Sequence, residues 1–209
     1  WFHFTGITPA LSDSAAATCL DACKAAKEAG VTISCDLNYR NKLWSKEKAR
    51  QIMGELCQYV DVCIANEEDA ADVFEIRAAD TDVSKGAVSR EGYKDVARQL
   101  MEHFHFSRVA ITLRESLSAS DNNWSAMLYD AERFCFSKKY QMHIVDRVGG
   151  GDAFSSGMIF ALMEDMEGAE AVNFAVASSV MKHSIHGDTN ITDKESIMRL
   201  MNNTFEIQR

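Results

Sequence analysis

The sequence predicts an α/β protein built on a mostly parallel sheet with helices on both faces. Short apolar segments rich in β-branched residues alternate with longer amphipathic segments along most of the chain, a pattern typical of βαβ units. Polar residues directly follow several of the short apolar segments. In open parallel sheets, ligands bind beyond the carboxyl ends of the strands, so we expect a ligand site at one edge of the sheet.

Three strands separated by helices are predicted in the first third of the chain. Ser12 is typical of a helix N-terminus, and Gly30 is a natural residue just after a helix C-terminus. Ser45 is expected to open the next helix, which runs to about Cys57, and the acidic run 66–69 to start another. The strands are predicted at residues 1–6, 31–35 and 60–65.

The rest of the chain is predicted to alternate in the same way, with one antiparallel excursion. The segment Asp121-Asn122-Asn123 is typical of a hairpin turn, because Asn and Asp are favoured in tight turns. Residues 78–88 are polar and small and predict a surface loop. Strands are expected at 108–113 and 140–145, and helices at 89–103, 151–164, 168–184 and 193–202.

Polar residues stand at or just past the ends of four predicted strands. Because the carboxyl ends of parallel strands lie at the same edge of a sheet, we expect these side chains to converge there. They are Asp36, Asn66, Thr112 and Asp146.

Composition excludes several classes of function. The chain has 209 residues, 46% of them apolar, which suits one globular domain with a sizeable core. Its net charge of −9 gives no basic footprint for nucleic acid, and no apolar run reaches the roughly 18 residues of a membrane helix. The six cysteines form no CxxC pair, so we expect reduced core thiols in a cytoplasmic protein.

The strongest candidate site is a run of three glycines, Gly149 to Gly151, between a predicted strand and a helix. Backbone N–H groups at a helix start are free to bind an anion, and glycine lets the backbone approach it closely. Asp152 follows in the first turn, where its charge would repel a phosphate but could accept a proton from an attacking hydroxyl group. The alternative is a glycine-rich loop in which Asp152 is only an N-terminal charge.

The segment from Asp146 to Phe154 resembles the signature Asp-Thr-x-Gly-Ala-Gly-Asp-Ala-Phe of the ribokinase-like, or phosphofructokinase-B type, carbohydrate kinases. The resemblance implies that Gly149, Gly150 and Gly151 form an anion hole over the transferring phosphate. It also implies that Asp152 is the catalytic base. This chain departs from the signature at Arg147, which replaces Thr, and at Gly150, which replaces Ala.

Two further segments resemble the same family. Asp36-Leu37-Asn38-Tyr39-Arg40 is similar to its Asp-x-Asn-x-Arg segment, which implies that Asp36, Asn38 and Arg40 bind the substrate. Asn66-Glu67-Glu68-Asp69 is similar to its Asn-x-x-Glu segment, which implies that Asn66 and Asp69 bind magnesium through water. From the residues alone, an Asp/Asn turn with a surface Arg and an acidic helix start remain alternatives.

The nucleotide-binding residues are implied by the same resemblance. Thr112-Leu113-Arg114 takes the place of a Thr-x-Gly segment that borders the nucleotide, with Arg114 instead of Gly. Residues 182–190 lie where the family closes the adenine pocket. The nucleotide-binding residues so implied are Thr112, Arg114, Gly149, Gly151, Lys182 and Gly187.

The resemblance implies a ribokinase-like three-layer α/β/α fold and ATP-dependent phosphorylation of a sugar acid. Within the family, the combined segments resemble the 2-keto-3-deoxygluconate kinase branch, so the expected product is that compound's 6-phosphate. ATP and Mg²⁺ are the implied cofactors. The resemblance is also compatible with a monovalent cation and with a homo-oligomer. The expected partners are ATP and a small-molecule sugar or sugar acid. Neither nucleic acid nor a membrane is expected as a partner.

The chain starts at Trp1 inside a predicted strand, so we expect it to be the C-terminal portion of one kinase domain. In this interpretation residues 1–209 lack the N-terminal part and lid of that domain, and residues 106–209 bind the nucleotide. The alternatives are a kinase of a neutral sugar such as fructose, ribose or a nucleoside, a truncated non-catalytic nucleotide-binding remnant, and an unrelated α/β binding protein.

Overall fold

A computed structural model describes residues 1–78 and 90–202, the side chain of Glu67 excepted. Its strands are β1 (Phe2–Thr5), β2 (Ile33–Asp36), β3 (Val62–Asn66), β4 (Arg108–Ser116), β5 (Asp121–Tyr129), β6 (Phe134–Phe136) and β7 (Tyr140–His143). Its helices are α1 (Ile7–Ala10), α2 (Asp13–Glu28), α3 (Lys46–Leu56), α4 (Glu67–Phe74), α5 (Arg90–Phe104), α6 (Gly150–Met163), α7 (Gly168–His183) and α8 (Lys194–Met201).

The chain forms two compact units. The first consists of residues 1–112 and 129–134, and the second of residues 113–128 and 135–209. The boundary between them falls inside β4, inside β5 and inside β6.

A parallel sheet forms the centre of the first unit. Strands β1, β2, β3 and β4 lie side by side in that order, and each neighbouring pair is parallel. Phe4 lies opposite Cys35, which in turn lies opposite Cys63, and all three are buried. Helices lie between successive strands in sequence, so the predicted βαβ alternation is confirmed.

The helices of the first unit begin and end at the predicted capping residues. The Ser12 side chain accepts a hydrogen bond from the Ala15 N–H, and the Ser45 side chain accepts one from the Lys48 N–H. Gly30 has φ +68°, the left-handed conformation that favours glycine just after a helix. These caps satisfy N–H groups that a helix start would otherwise leave unpaired.

The cysteines are free, as predicted. Cys135 is half-buried, and the other five are buried, namely Cys19, Cys23, Cys35, Cys57 and Cys63. Burial raises the pKa of the Cys35 and Cys63 thiols well above the usual value, so both stay protonated. No helix among the described residues is long and apolar enough to cross a bilayer.

The second unit combines an antiparallel strand pair with a closely packed helix pair. Strand β5 pairs with β7, and Trp124 lies opposite Tyr140. Helices α6 and α7 pack against each other. A Cβ added at Gly157 of α6 would lie only 2.9 Å from the Ser178 Cβ and 3.0 Å from the Ala175 Cα, so glycine permits this close approach.

The predicted hairpin turn is wrong by a few residues. Asp121-Asn122-Asn123 belongs to β5, and the turn is formed by residues 117–120. The Ser118 hydroxyl accepts the N–H groups of Ser120 and Asp121 and donates to the Asp121 carboxylate. This serine turn ends the loop before Asp121, which leaves the Asp-Asn-Asn segment free to enter the strand. Of the predicted 78–88 loop, only Ala78 lies within the described residues.

Candidate functional site

The predicted polar residues of the first unit lie at the carboxyl ends of adjacent strands. Asp36 ends β2 and pairs with Thr5 at the end of β1. Asn66 ends β3 and lies opposite Thr112. Thr112 does not end its strand, because β4 continues to Ser116. The fourth predicted residue, Asp146, belongs to the second unit.

The segment after β2 turns back onto the neighbouring strands. The Leu37 N–H donates to the Ile64 carbonyl at 2.9 Å, and the Asn38 side-chain amide donates to the Thr5 hydroxyl at 3.0 Å. Asn38 adopts φ +38°, which asparagine tolerates better than most residues. Arg40 is exposed, and one of its guanidinium N–H groups donates to the Tyr39 carbonyl. The remaining donors of Arg40 are therefore available at the surface.

The sequence interpretation missed Thr5 and Gly6, which border the same segment. The Gly6 N–H donates to the Asp36 carbonyl at 2.8 Å. A Cβ added at Gly6 would overlap the Leu37 carbonyl oxygen and lie 3.0 Å from its carbon. A glycine directly after a strand was the available signal, because it permits close approach of two backbones.

Asn66 and Asp69 form a capping box at the start of α4. The Asn66 side chain accepts the Asp69 N–H at 2.8 Å, and the Asp69 carboxylate accepts the Asn66 N–H at 3.4 Å. The other Asp69 oxygen accepts the Tyr39 N–H at 3.0 Å. Asp69 is only 4% exposed, whereas Asn66 is half-buried. Asp69, one of the two residues predicted to bind magnesium, thus holds the predicted substrate-binding segment 36–40 in place through Tyr39.

The environment of Asp69 disfavours its charged form. Burial raises the pKa of this carboxyl to about 6, although hydrogen bonds from Tyr39 and Asn66 and the charge of Arg40 oppose the shift. Asp69 is therefore ionised near neutral pH and protonated in mild acid.

In the second unit, the three glycines form a turn at the start of α6. Gly149 is the N-cap residue with φ +79°. The Gly150 N–H donates to the Arg147 carbonyl at 3.2 Å, and the first helical bond runs from the Ala153 N–H to the Gly149 carbonyl. The N–H groups of Gly151 and Asp152 precede that bond, so they are the amides a helix start offers to an anion. The Asp152 side chain is exposed in the same turn.

Asp146 fixes the glycine turn to the segment after α7. One carboxylate oxygen accepts the Val148 N–H at 3.0 Å, and the other accepts the Gly187 N–H at 2.9 Å. These hydrogen bonds, together with the charges of Lys182 and His186, lower the pKa of Asp146. Asp146 therefore stays ionised and clamps both segments.

Two side chains of α7 pack against the glycine turn, and the sequence interpretation missed one of them, His183. Its imidazole lies on the Cα of Gly150 and 5.4 Å from the Trp124 ring, between centroids. Lys182 is fully buried beside Gly149. The replacement of the usual Ala by Gly150 was the signal that a larger neighbour occupies this space.

The other predicted nucleotide-binding residues are spread over both units. Thr112 is half-buried in the first unit, and Arg114 is exposed in the second. Gly187, with φ +84°, is held by Asp146. Their contacts with a nucleotide stay predictions.

Comparison with known proteins gives consistent matches. Residues 2–195 match the pfkB family of carbohydrate kinases. The chain is 30% identical over 200 residues to the 2-dehydro-3-deoxygalactonokinase of Haloferax volcanii, covering 96% of this chain and 56% of that protein. It is 26% identical over 195 residues to a protein of Arabidopsis thaliana named probable fructokinase-6, chloroplastic, covering 89% of this chain and 45% of that protein.

A solved structure is similar over nearly the whole chain. The crystal structure of 2-dehydro-3-deoxygluconokinase from Thermotoga maritima matches with a TM-score of 0.90 and 42% identity, covering 97% of this chain and 59% of that one. The chain therefore spans about half to three fifths of the length of these relatives.

Proposed function

The chain belongs to the pfkB family of carbohydrate kinases, and from that premise we propose that it is the nucleotide-binding and catalytic part of a sugar-acid kinase. The expected family resemblance and the ribokinase-like α/β fold with a mostly parallel central sheet are confirmed. The proposed reaction transfers the γ-phosphoryl group of ATP to a hydroxyl group of 2-keto-3-deoxygluconate and gives the 6-phosphate. Buried free thiols support a reducing, cytoplasmic location.

One observation carries the proposal: the Gly151 and Asp152 amides, which precede the first bond within the helix, lie at the same helix start as the exposed Asp152 carboxylate. The N–H groups of Gly151 and Asp152 lie in the first turn of α6 and would stabilise charge on the transferring phosphoryl group. The Asp152 carboxylate would accept the proton of the attacking hydroxyl group. Gly149 and Gly150 give the turn its shape, with the Gly150 amide already bonded to Arg147.

The substrate segment of the first unit supports an acidic substrate. Arg40 is exposed and has donors available, so its guanidinium group can bind a sugar-acid carboxylate through two hydrogen bonds. Asp36 and Asn38 stand on the same segment and would bind sugar hydroxyl groups. The Haloferax and Thermotoga relatives are named as kinases of 2-keto-3-deoxy sugar acids, which supports the same substrate class.

ATP and Mg²⁺ are the proposed cofactors, since magnesium neutralises the phosphate charge in kinases. Asn66 is half-buried at the strand edge and fits a role in holding magnesium-bound water. Asp69 does not fit a ligand role in this conformation, because it is 4% exposed and both its oxygens accept N–H groups. We therefore assign Asp69 an indirect role, in which it fixes Asn66 and Tyr39.

The nucleotide-binding part is proposed to be residues 106–209, within the C-terminal portion of one kinase domain formed by residues 1–209. The boundary between the compact units at residue 112 lies close to the start of that part. Thr112, Arg114 and Gly187 are the proposed nucleotide-binding residues in addition to the glycine turn.

Two other functions are each supported by one specific observation. The Arabidopsis relative is named as a fructokinase, which favours a kinase of a neutral sugar. The amides at the start of α6 could bind a nucleotide phosphate without any transfer, which keeps a non-catalytic nucleotide-binding remnant as the other candidate.

One experiment separates the three functions. ATP-dependent phosphorylation by the protein that carries this chain is measured with 2-keto-3-deoxygluconate, 2-keto-3-deoxygalactonate, fructose and ribose. We expect kcat/KM to be highest for a sugar acid. A preference for fructose or ribose would support the neutral-sugar kinase, and ATP binding without transfer to any substrate would support the remnant.

A further inference from the structure

A buried ammonium group lies next to the glycine turn. Lys182 is fully buried, and its Nζ donates to the Ile185 carbonyl at 3.2 Å. Its Cε lies 3.2 Å from the position that a Cβ of Gly149 would occupy. The proposed phosphate-binding turn thus has a fixed positive charge directly beside it.

This ammonium group has no close carboxylate partner. Among the described residues, no ion pair joins Lys182 to an acidic side chain within 4.0 Å. Asp146 is near enough that the charge of Lys182 helps to lower its pKa, but its two oxygens accept N–H groups of Val148 and Gly187. A buried charge without a pair is costly unless another charge compensates it. An anion on the glycine turn would supply that compensation.

An additional monovalent cation does not fit beside the turn. Such an ion needs several oxygen ligands, and the Ile185 carbonyl here accepts the lysine ammonium. An ion placed close to Gly149 would also meet a charge of its own sign on Lys182.

We propose that Lys182 serves as a built-in monovalent cation beside the Gly149–Gly151 turn, so that phosphate binding requires no added potassium or sodium ion. The inference rests on the proposed binding of nucleotide phosphate at that turn. Because Lys182 is buried, it acts through its charge and through the Ile185 carbonyl rather than by touching the ligand. This electrostatic role is proposed in place of the direct nucleotide contact that the sequence predicted for Lys182.

The first test needs no variant. ATP binding by the chain is measured by calorimetry in choline, sodium and potassium chloride at equal ionic strength. We expect the dissociation constants to agree within about twofold, since the fixed ammonium already supplies the charge. A tightening of about tenfold or more in potassium or sodium would overturn the inference while leaving the proposed function intact. If the folded chain bound no ATP in any salt, the proposed function and the inference would both fall.

The second test removes the charge. Lys182→Met keeps most of the side-chain volume, and we expect it to weaken ATP binding about tenfold or more in choline chloride. Potassium or ammonium ions should restore part of the loss, because they can enter the vacated position. The matched control is Lys194→Met in the same unit, where the ammonium pairs with Glu164 at the surface. Equal weakening in every salt, without rescue, would reduce Lys182 to a packing role and overturn the inference.

Discussion

The imidazole ring of His183 lies directly against the Cα of Gly150, in the space that a side-chain methyl group would need. A Cβ added at residue 150 would overlap the His183 ring and lie 2.6 Å from its Nε2. The His183 Nδ1–H donates to the Ser179 carbonyl at 2.7 Å, which fixes the ring in this position. Residues 150 and 183 are therefore coupled, although they lie far apart in the sequence.

Gly150→Ala is predicted to destabilise the second unit. Gly150 has no positive φ, so the backbone accepts alanine and the cost comes from overlap with His183. Overpacking of this kind typically costs about 1–3 kcal/mol. The unfolding free energy from urea denaturation measures it.

The matched control combines Gly150→Ala with His183→Ala in a double-mutant cycle. Removal of the ring should relieve the overlap, so the double variant should lose less stability than the sum of the two single variants. Additive losses would contradict a direct steric coupling.

Asp152→Asn is predicted to lower kcat by about 10²–10⁴-fold, the usual effect of removing a general base. Binding of ATP should be retained, because asparagine leaves the amides at the start of α6 in place and removes a negative charge near the phosphate. Steady-state kinetics and calorimetry measure the two quantities. Asp165→Asn, an exposed position just after the same helix, should leave kcat unchanged. Normal turnover of Asp152→Asn would contradict its assignment as the base.

Arg40→Met is predicted to raise KM for a sugar acid by about 10–100-fold, which corresponds to about 1.5–3 kcal/mol for hydrogen bonds to a charged group. The kcat should change less, since Arg40 stands apart from the reacting hydroxyl in this assignment. Lys42→Met, a neighbouring exposed cation, is the control and should keep the normal KM. An equal rise of KM in both variants would indicate a general electrostatic effect rather than carboxylate recognition.

Most strands and helices could be predicted in order from the sequence because local signals dominate them, but the short elements α1 and β6 were not predicted. Ser12, Ser45 and Gly30 mark helix ends through bonds within a few residues, and the structure uses each of them. The hairpin turn could not be placed in the same way. Asn and Asp favour turns in general, but the Ser118 hydroxyl captures the N–H groups of Ser120 and Asp121 and fixes the turn earlier.

The site was predictable only as separate segments. The sequence shows that Asp69 opens a helix, but not that its second oxygen binds the Tyr39 N–H of another segment. It shows that Gly150 departs from the family signature, but not that His183 occupies the space. Such contacts depend on how distant elements pack, which no local pattern contains.

Asp69 is predicted to make stability depend on pH in mild acid. Burial raises its pKa from 3.8 to about 6, so the folded state holds this proton more tightly than the unfolded state. The stabilisation is present in full below about pH 4 and is lost as the pH rises through about 6. Asp69→Asn cannot titrate at this position. The difference in unfolding free energy between the natural chain and the variant should therefore shrink between about pH 4.5 and pH 7.

Urea denaturation of both proteins at the two pH values measures that difference, and effects of all other titrating groups cancel in it. Hydrogen exchange of the Tyr39 amide is the second measurement. Its exchange should be faster in Asp69→Ala, because the buried carboxylate that accepts this N–H at 3.0 Å is gone. If the unfolding free energy of the natural chain instead rises relative to that of the variant as the pH increases, hydrogen bonds to the carboxylate outweigh its burial. That result would reverse the direction of the shift.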